Sequence, residues 1–318
     1  MRFVTYDTGQ GDDRVGLLDG ETVYGLAPGI DLLSLLGDDG ERLHSAGESA
    51  RRDPHEVIPL NQTHLLPPLL RPPSIRDFIA YEQHVAGTAK LVGKEGVNPV
   101  WYEQPLFYFS NPHSVTGADA EVPIPPGCTE FDFELEAAAV VGRSGTDLTP
   151  DQAERHIAGY MVMNDWSARD LQFHEMRFGL GPAKGKDSAI TLGPALVTPD
   201  ELAPFRAGTA FDLGMRVTVN GELFGEDRMS SMAWSFGELI SYASRGTWVR
   251  PGDIIGSGTS GNGCLAEKWG REGRRRPPLK PGDEVTMTID EIGTIRNTVA
   301  LSTGAPHLLP HRTPTMPR

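Results

Sequence analysis

Residues 131–139 read FDFELEAAA, and three acids recur there at every second position: Asp132, Glu134 and Glu136, with Phe131, Phe133 and Leu135 between them. In an extended strand alternate side chains point to opposite faces, so one face collects three carboxylates and the other the apolar groups. Like charges that close repel. Either water solvates the acidic face or a cation sits on it. The run that continues, AAAVVG, is apolar on both faces, which carries the strand inward and draws its acid-bearing end towards the core. Carboxylates placed there need a cation. Clustered oxygen donors suit magnesium, manganese or calcium better than zinc, whose protein sites usually include histidine or cysteine.

Two more acids could complete such a shell: Asp77 in IRDFIAYEQHVAGTAKLVG and Asp165 at the end of GYMVMND. In the first segment Phe78, Tyr81, Val85, Ala89 and Val92 recur at near-helical spacing, so a helix is expected over 75–93 with Asp77 at its start. His84 then lies two turns on along the same face, as a candidate base. Each also has a plainer reading: Asp77 as a helix N-cap, Asp165 as a turn residue, His84 as a partly exposed surface histidine. Two phosphate-binding patterns fail on context. GSGTSG (256–261) fits G-x-G-x-x-G, but NGCLAEKWG after it is a poor helix start. GPAKGKDS (181–188) has Leu180 where the phosphate loop needs glycine and Asp187 where it needs serine or threonine.

The elements that must position these residues are mostly short strands. RFVTYD and RVGLLDGETVYGL read as strands, the second pair joined across Asp19-Gly20, and DLLSLLG as a short helix stopped by Gly37. The polar stretch 38–64 leads into LLPPLLRPPS, whose prolines mark a boundary near residue 70. GYMVMND reads as a buried strand, SARDLQFHEMRF as a helix, and MRVTVNGELFG as a hairpin about Asn220-Gly221. SMAWSFGELISYASRG is an amphipathic helix ended by Gly246, and GDIIGSGTSG and GDEVTMTIDEIGTIRNTVA are further strand regions opened by Pro-Gly-Asp turns. No βαβ rhythm suggests a purely parallel sheet.

The chain has 318 residues, 38% hydrophobic and 23% charged, with a formal charge of −14, as expected of a globular protein. That charge speaks against nucleic acid and anionic membrane, since phosphate binding needs concentrated lysine and arginine. The basic run Arg274 to Arg276 precedes two prolines and reads as a solvated loop. No apolar run approaches a membrane span and MRFVTYDTGQ lacks a signal-peptide core, so a cytoplasmic location is expected. Cys128 and Cys264 are too few and too far apart for a disulfide framework or a thiolate metal site.

Taken in order, RDFIAYEQH, FDFELEAAAVVG, MNDWSARDLQ, GPAKGKDSAITLGP, GSGTSGNGCLAE and LKPGDEVTMTIDEIGTIRNTV resemble the fumarylacetoacetate hydrolase family from about residue 70 to about 304. The resemblance implies an α+β, β-rich fold: a mixed β-sandwich or β-roll catalytic domain over 71–304, a small N-terminal α+β domain over 1–70, and a C-terminal tail over 305–318. It implies that Asp77, Glu134, Glu136 and Asp165 bind Mg²⁺, Mn²⁺ or Ca²⁺, with Asp132 outside the shell. His84 matches the catalytic histidine and Glu267 the acid that orients it. Lys186, Arg169 and Gln172 match positions that bind substrate and intermediate, Thr259 a contact to the substrate carboxylate, and Tyr108 a substrate tyrosine. Ile79 and Gly93 depart from the founding hydrolase, which has a tyrosine and an arginine at these positions near the distal end of its substrate.

The activity so implied is hydrolysis of the carbon–carbon bond of a fumarylacetoacetate- or acylpyruvate-like diketo acid, of the kind that arises in the breakdown of aromatic compounds, by water activated at the His–Glu pair. The alternative is a lyase or isomerase (a decarboxylase, dehydratase or double-bond isomerase) acting on a 2-oxo acid over the same metal platform. The partner is then a small diketo or 2-oxo acid, and the resemblance implies a homodimer. A non-catalytic, metal-stabilised fold would leave the cationic and His–Glu groups without a purpose.

Overall fold

The computed structural model describes residues 1–302 and 304–306; residue 303 and residues 307–318, most of the expected tail, lie outside them. Two sheets take up much of the backbone hydrogen bonding. The larger has twelve strands, and its path runs Glu56–Pro59, Thr22–Gly25, Asp13–Asp19, Arg2–Asp7, Ile190–Val197, Ile157–Asp165, Leu135–Val141, Ile254–Gly256, Ile75–Phe78 and Phe107–Ser110. His64–Leu66 pairs with Arg2–Asp7, and Val115–Thr116 with Ile190–Val197. The smaller sheet has five strands: Glu222–Arg228, Gly214–Val219, Glu284–Ile289, Gly293–Ala300 and Glu121–Pro123.

The apolar runs become central strands covered on both faces, as such runs must. Along Leu135–Val141 the period of two sorts the side chains between two cores. Leu135, Ala137, Ala139 and Val141 join Val162, Leu239, Met287 and Ile295 between the large and small sheets. Ala138 and Val140 join Phe3, Leu17, Leu43 and Met161 on the other face, where the helix Glu41–Arg52 buries Leu43 and Ala50. The β-rich α+β architecture is the one expected, and no helix among the described residues is long and apolar enough to cross a membrane. The first strands share the large sheet with later ones, Arg2 lying opposite Val197. In the Asn220-Gly221 hairpin both turn residues have positive φ, 53° and 79°, which asparagine and glycine tolerate.

Several local expectations give way once the chain is folded. Over 75–93 the helix is confined to Glu82–Leu91, and Ile75–Phe78 is a strand between Ile254–Gly256 and Phe107–Ser110. The helical spacing of Phe78 and Tyr81 was matched by chance. The backbone between them is claimed elsewhere, Ala80 N donating to Ser257 O and Ala80 O accepting from Ala233 N, both at 2.9 Å, and the helix begins only after Tyr81, whose C=O accepts from Val85 N at 3.2 Å. Asp77 is therefore a strand residue, and His84 shares no helical face with it. The stretch 38–64 contains the helix Glu41–Arg52 and the strand Glu56–Pro59, whereas DLLSLLG forms only a 3₁₀ turn at Leu33–Leu35. NGCLAEKWG does start a helix, Leu265–Glu272, capped by Cys264 Sγ accepting from Glu267 N at 3.4 Å. The acidic strand is broken at residues 133–134, where side chains replace the ladder: Phe133 N donates to Asp132 Oδ1 at 2.7 Å and Glu134 N to Asn164 Oδ1 at 2.9 Å.

Candidate metal centre and active site

Register across the large sheet brings the acids together. Ala138 lies opposite Gly256, Gly256 opposite Asp77, and Asp77 opposite Tyr108, and Glu136 sits two residues before Ala138 on the same face of its strand, next to this row. A Cβ on Gly256 would stand 2.5 Å from Asp77 Oδ1, so the carboxylate lies where that side chain would be. Asp165 ends the neighbouring strand. Its place is fixed by Trp166, which is fully buried, stacks on Phe131 at 5.4 Å and donates to Thr191 Oγ1 at 2.9 Å. One carboxylate oxygen from each of Asp77, Glu134, Glu136 and Asp165 can be chosen so that all four lie within 4.8 Å of one another.

The four carboxylates differ in what reaches them. Glu134 Oε1 accepts from Arg169 Nη2 at 2.6 Å and Oε2 from Lys186 Nζ at 2.5 Å; the same ammonium donates to Asp165 Oδ2 at 2.5 Å. Tyr108 OH donates to Asp77 Oδ2 at 2.7 Å and also contacts Asp165 Oδ2. Glu136 Oε2 accepts from Gly258 N at 3.0 Å, and Gly258 has φ +79° with Phe78 O filling the space of a Cβ. Three oxygens are left buried without a partner: Asp77 Oδ1, Glu136 Oε1 and Asp165 Oδ1.

Charge follows this pattern. Burial raises the Glu136 carboxyl well above its usual range, and Asp77, Glu134 and Asp165 push it further up. Burial also raises Asp165 and Asp77, against the pull of Lys186. Glu134 is opposite in sign: burial would raise it, but Lys186 and Arg169 outweigh that and hold it below the ordinary range. Unpartnered carboxylate oxygens that raise one another's pKa form a donor set that a cation would satisfy. An all-oxygen set of this kind fits Mg²⁺, Mn²⁺ or Ca²⁺.

Asp132 is fully buried and lies outside this group. It accepts from Arg169 Nε at 2.8 Å and from Leu265 N and Ala266 N at 2.8 and 3.0 Å, at the start of the helix Leu265–Glu272. Arg169 is thereby held between Asp132, Glu134 and Gln172 Oε1, the last at 3.0 Å. Lys186 rides on the turn Lys184–Lys186, which Glu175 fixes by accepting from Ala183 N, Lys184 N and Gly185 N at 2.6–3.0 Å. Glu175 has no signal in the sequence; its role exists only once the loop folds back on its helix.

His84 sits buried in the first turn of Glu82–Leu91, its Nδ1 3.7 Å from Cys264 Sγ and 3.7 Å from Glu267 Oε2. Glu267 is fully buried, with Oε1 accepting from Asn262 N at 3.0 Å and from Arg271, and with Oε2 unpartnered. Burial, and then Asp132, raise the Cys264 thiol well above its ordinary pKa although Arg169 works the other way. Thr259 is buried in the loop after Ile254–Gly256.

Residues 74–300 match the family model for the fumarylacetoacetate (FAA) hydrolase C-terminal domain. Oxaloacetate tautomerase YisK of Bacillus subtilis is 33% identical over 245 residues, 76% of this chain and 74% of that protein. The human mitochondrial oxaloacetate tautomerase FAHD2A is 33% identical over 268 residues, 82% of this chain and 77% of the relative. Among solved structures, the fumarylacetoacetate hydrolase of Exiguobacterium antarcticum superposes with a TM-score of 0.71 at 25% identity, over 95% of this chain and 99% of that one. A maleylpyruvate hydrolase from Sphingobium sp. SYK-6, in complex with manganese(II) and pyruvate, shares the fold with a TM-score of 0.70 at 23% identity, over 95% and 100% of the two chains. The chain belongs to the fumarylacetoacetate hydrolase family.

Proposed function

We propose that the chain is a divalent-metal-dependent enzyme that moves a proton on a 2-oxo acid, with keto–enol tautomerisation of an oxaloacetate-like substrate as its reaction. The observation that carries the reading is the set of unpartnered buried oxygens, Asp77 Oδ1, Glu136 Oε1 and Asp165 Oδ1, beside the Lys186 ammonium. Asp77, Glu134, Glu136 and Asp165 would hold Mg²⁺ or Mn²⁺. When bound, such an ion supplies a Lewis acid that polarises the 2-oxo carbonyl and offsets the charge of the enolate.

The chain's own groups do the rest. His84 takes a proton from the carbon next to the 2-oxo group and delivers it to the enolate oxygen, or runs the transfer in reverse, so that one proton moves between carbon and oxygen, and the Glu267 carboxylate stabilises the imidazolium formed in between. Lys186 lies where negative charge develops, and because it is held by Glu134 and Asp165 it needs no reorganisation. Arg169 acts through Glu134, Gln172 through Arg169, while Tyr108 and Thr259 line the approach to the substrate carboxylate. The tautomerase relatives at about a third identity support this choice over others on the same platform.

One observation favours a second reading, hydrolysis of an acylpyruvate- or fumarylacetoacetate-like diketo acid. His84 Nδ1 faces a buried, unpartnered carboxylate oxygen, which suits a base that activates water. The two separate in one assay. Protein with Mg²⁺ or Mn²⁺ is given enol-oxaloacetate, followed by loss of enol absorbance, and a panel of acylpyruvates, followed by product mass. Chelator-sensitive enol loss supports the first reading, acylpyruvate cleavage without it the second, and neither activity refutes both.

A homodimer is part of the same reading. Phe107–Ser110 ends the path of the large sheet and leaves Phe109 67% exposed, an edge of the kind that proteins cover. A monomeric mass by light scattering would overturn it.

A further inference from the structure

Beside the oxygen-only group lies a second cluster with different chemistry. Ligand-capable atoms of His84, Glu134 and Cys264 all fall within 4.8 Å of one another, and all three residues are buried. Cys264 Sγ and His84 Nδ1 are 3.7 Å apart, close to the separation of two ligands on one tetrahedral zinc with bonds of about 2.0–2.3 Å. Glu267 Oε2, fully buried and without a hydrogen-bond partner, stands 3.7 Å from the same Nδ1 and adds another oxygen donor. A thiol, an imidazole and carboxylates are a poor set for magnesium and a good one for zinc or another soft divalent ion.

Charge leaves room for it. Asp77, Asp132, Glu134, Glu136, Asp165 and Glu267 are buried in contact with only Lys186, Arg169 and Arg271 as cations, more negative charge than one divalent ion offsets. We propose that His84, Cys264 and Glu134, with Glu267 alongside, form a soft-metal site for Zn²⁺ adjoining the oxygen shell, with Glu134 shared between the two. On binding, the Cys264 proton passes to solvent as the sulfur–zinc bond forms, and no oxidation state changes. Because the ion takes up His84, zinc inhibits the enzyme while the oxygen shell keeps its own cation. The inhibition rests on His84 being the base; the binding does not.

The test separates the two. The Mg²⁺-saturated protein is titrated with Co²⁺, whose thiolate complexes absorb in the near ultraviolet and whose carboxylate complexes do not. A charge-transfer band is expected in the parent and in Cys128→Ser, and none in Cys264→Ser. Zinc inhibition, each protein measured against its own uninhibited rate, should need roughly tenfold or more Zn²⁺ in Cys264→Ser. Should that variant not fold, X-ray absorption on the zinc-loaded parent should find sulfur at about 2.3 Å. A parent with no cobalt–sulfur band, or with an oxygen-only zinc shell, overturns the site. A band without zinc inhibition leaves the site in place and removes His84 from the base role.

Discussion

Asp132 offers the sharpest test of how the site is held together. It is fully buried and joins three segments: its own strand, Arg169 on the helix Arg169–Met176, and the first turn of the helix that carries Glu267. Asp132→Ala leaves a buried guanidinium with Glu134 as its one acid and strips two helix N–H groups of their acceptor. Removing one partner of a buried ion pair costs about 3–5 kcal/mol. Each buried donor left unsatisfied adds about 1–3 kcal/mol, and the contributions overlap rather than add. The alanine variant should therefore lose about 5 kcal/mol or more. Asp132→Asn keeps the shape and one acceptor oxygen but not the charge, so about 2–4 kcal/mol is expected. At about 1.5 °C per kcal/mol for a chain of this length, the asparagine variant should melt roughly 3–6 °C below the parent.

Stability alone would not distinguish a positioning role from a merely structural one, so Mn²⁺ affinity is measured on the folded Asp132→Asn protein by calorimetry. Arg169 tethers Glu134, and when Arg169 loses its anchor this proposed ligand loses its fixed orientation, which should weaken binding roughly 10–100-fold. The variant should be assayed well below its melting point so that unfolding does not mimic weak binding. A melting temperature within 2 °C of the parent, or unchanged Mn²⁺ affinity in the folded variant, would refute the reasoning.

Glu136→Gln should abolish divalent-ion binding and turnover together, since it removes an unpartnered donor from the shell; full metal affinity in that variant means the oxygen cluster is not the metal centre. His84→Ala should cost about 10²–10⁴-fold in turnover with metal affinity nearly unchanged, and adding Glu267→Gln should cost little more because the two act as one unit. Independent, additive losses would separate them. Burial, and then the Asp170 charge, push the Cys128 thiol up to about 12, so its thiolate fraction falls and alkylation at pH 8 should run on the order of 10³-fold slower than for a free thiol. The rate should climb about tenfold per pH unit towards that value, and labelling at the speed of glutathione would contradict it.

How far the sequence disclosed this site depends on which forces placed each residue. The clustered acids on Leu135–Val141 and Ile157–Asp165 are legible as candidates because an apolar run on both faces implies a buried strand, and an acid at the end of one is out of place. Asp77 is expected on a helix and lies on a strand: that strand exists because neighbours on both sides supply hydrogen bonds, which local periodicity does not report. The helix at Leu265 is hidden from the sequence for a related reason. Cys264 and Asp132 accept from its first N–H groups, and a cap supplied from 133 residues away leaves no mark in the local sequence. Glu41–Arg52 gives little apolar signal because ERLHSAGESARR is mostly polar, with Leu43, Gly47 and Ala50 as its buried residues.

The same contacts decide what became of the three evenly spaced acids. Equal spacing predicted one shared face and one shared fate, but the break at residues 133–134 separates them. Asp132 receives a guanidinium and three backbone N–H groups, one of them from its own neighbour Phe133, and becomes a strut. Glu134 receives one cation on each oxygen, which is why its carboxyl falls below the ordinary range while its neighbours' rise. Glu136 receives a single backbone N–H and keeps one oxygen free. Every acid in the run is buried, so none is the wet face of a strand, and the donors reaching each one set Asp132 apart as a strut, tether Glu134 to two cations and leave Glu136 with a free oxygen. On this argument the acid with the fewest protein partners is the one whose loss most weakens metal binding. Measured affinities should therefore fall further for Glu136→Gln than for Asp132→Asn, and the reverse order would mean that Arg169, rather than the free oxygens, organises the centre.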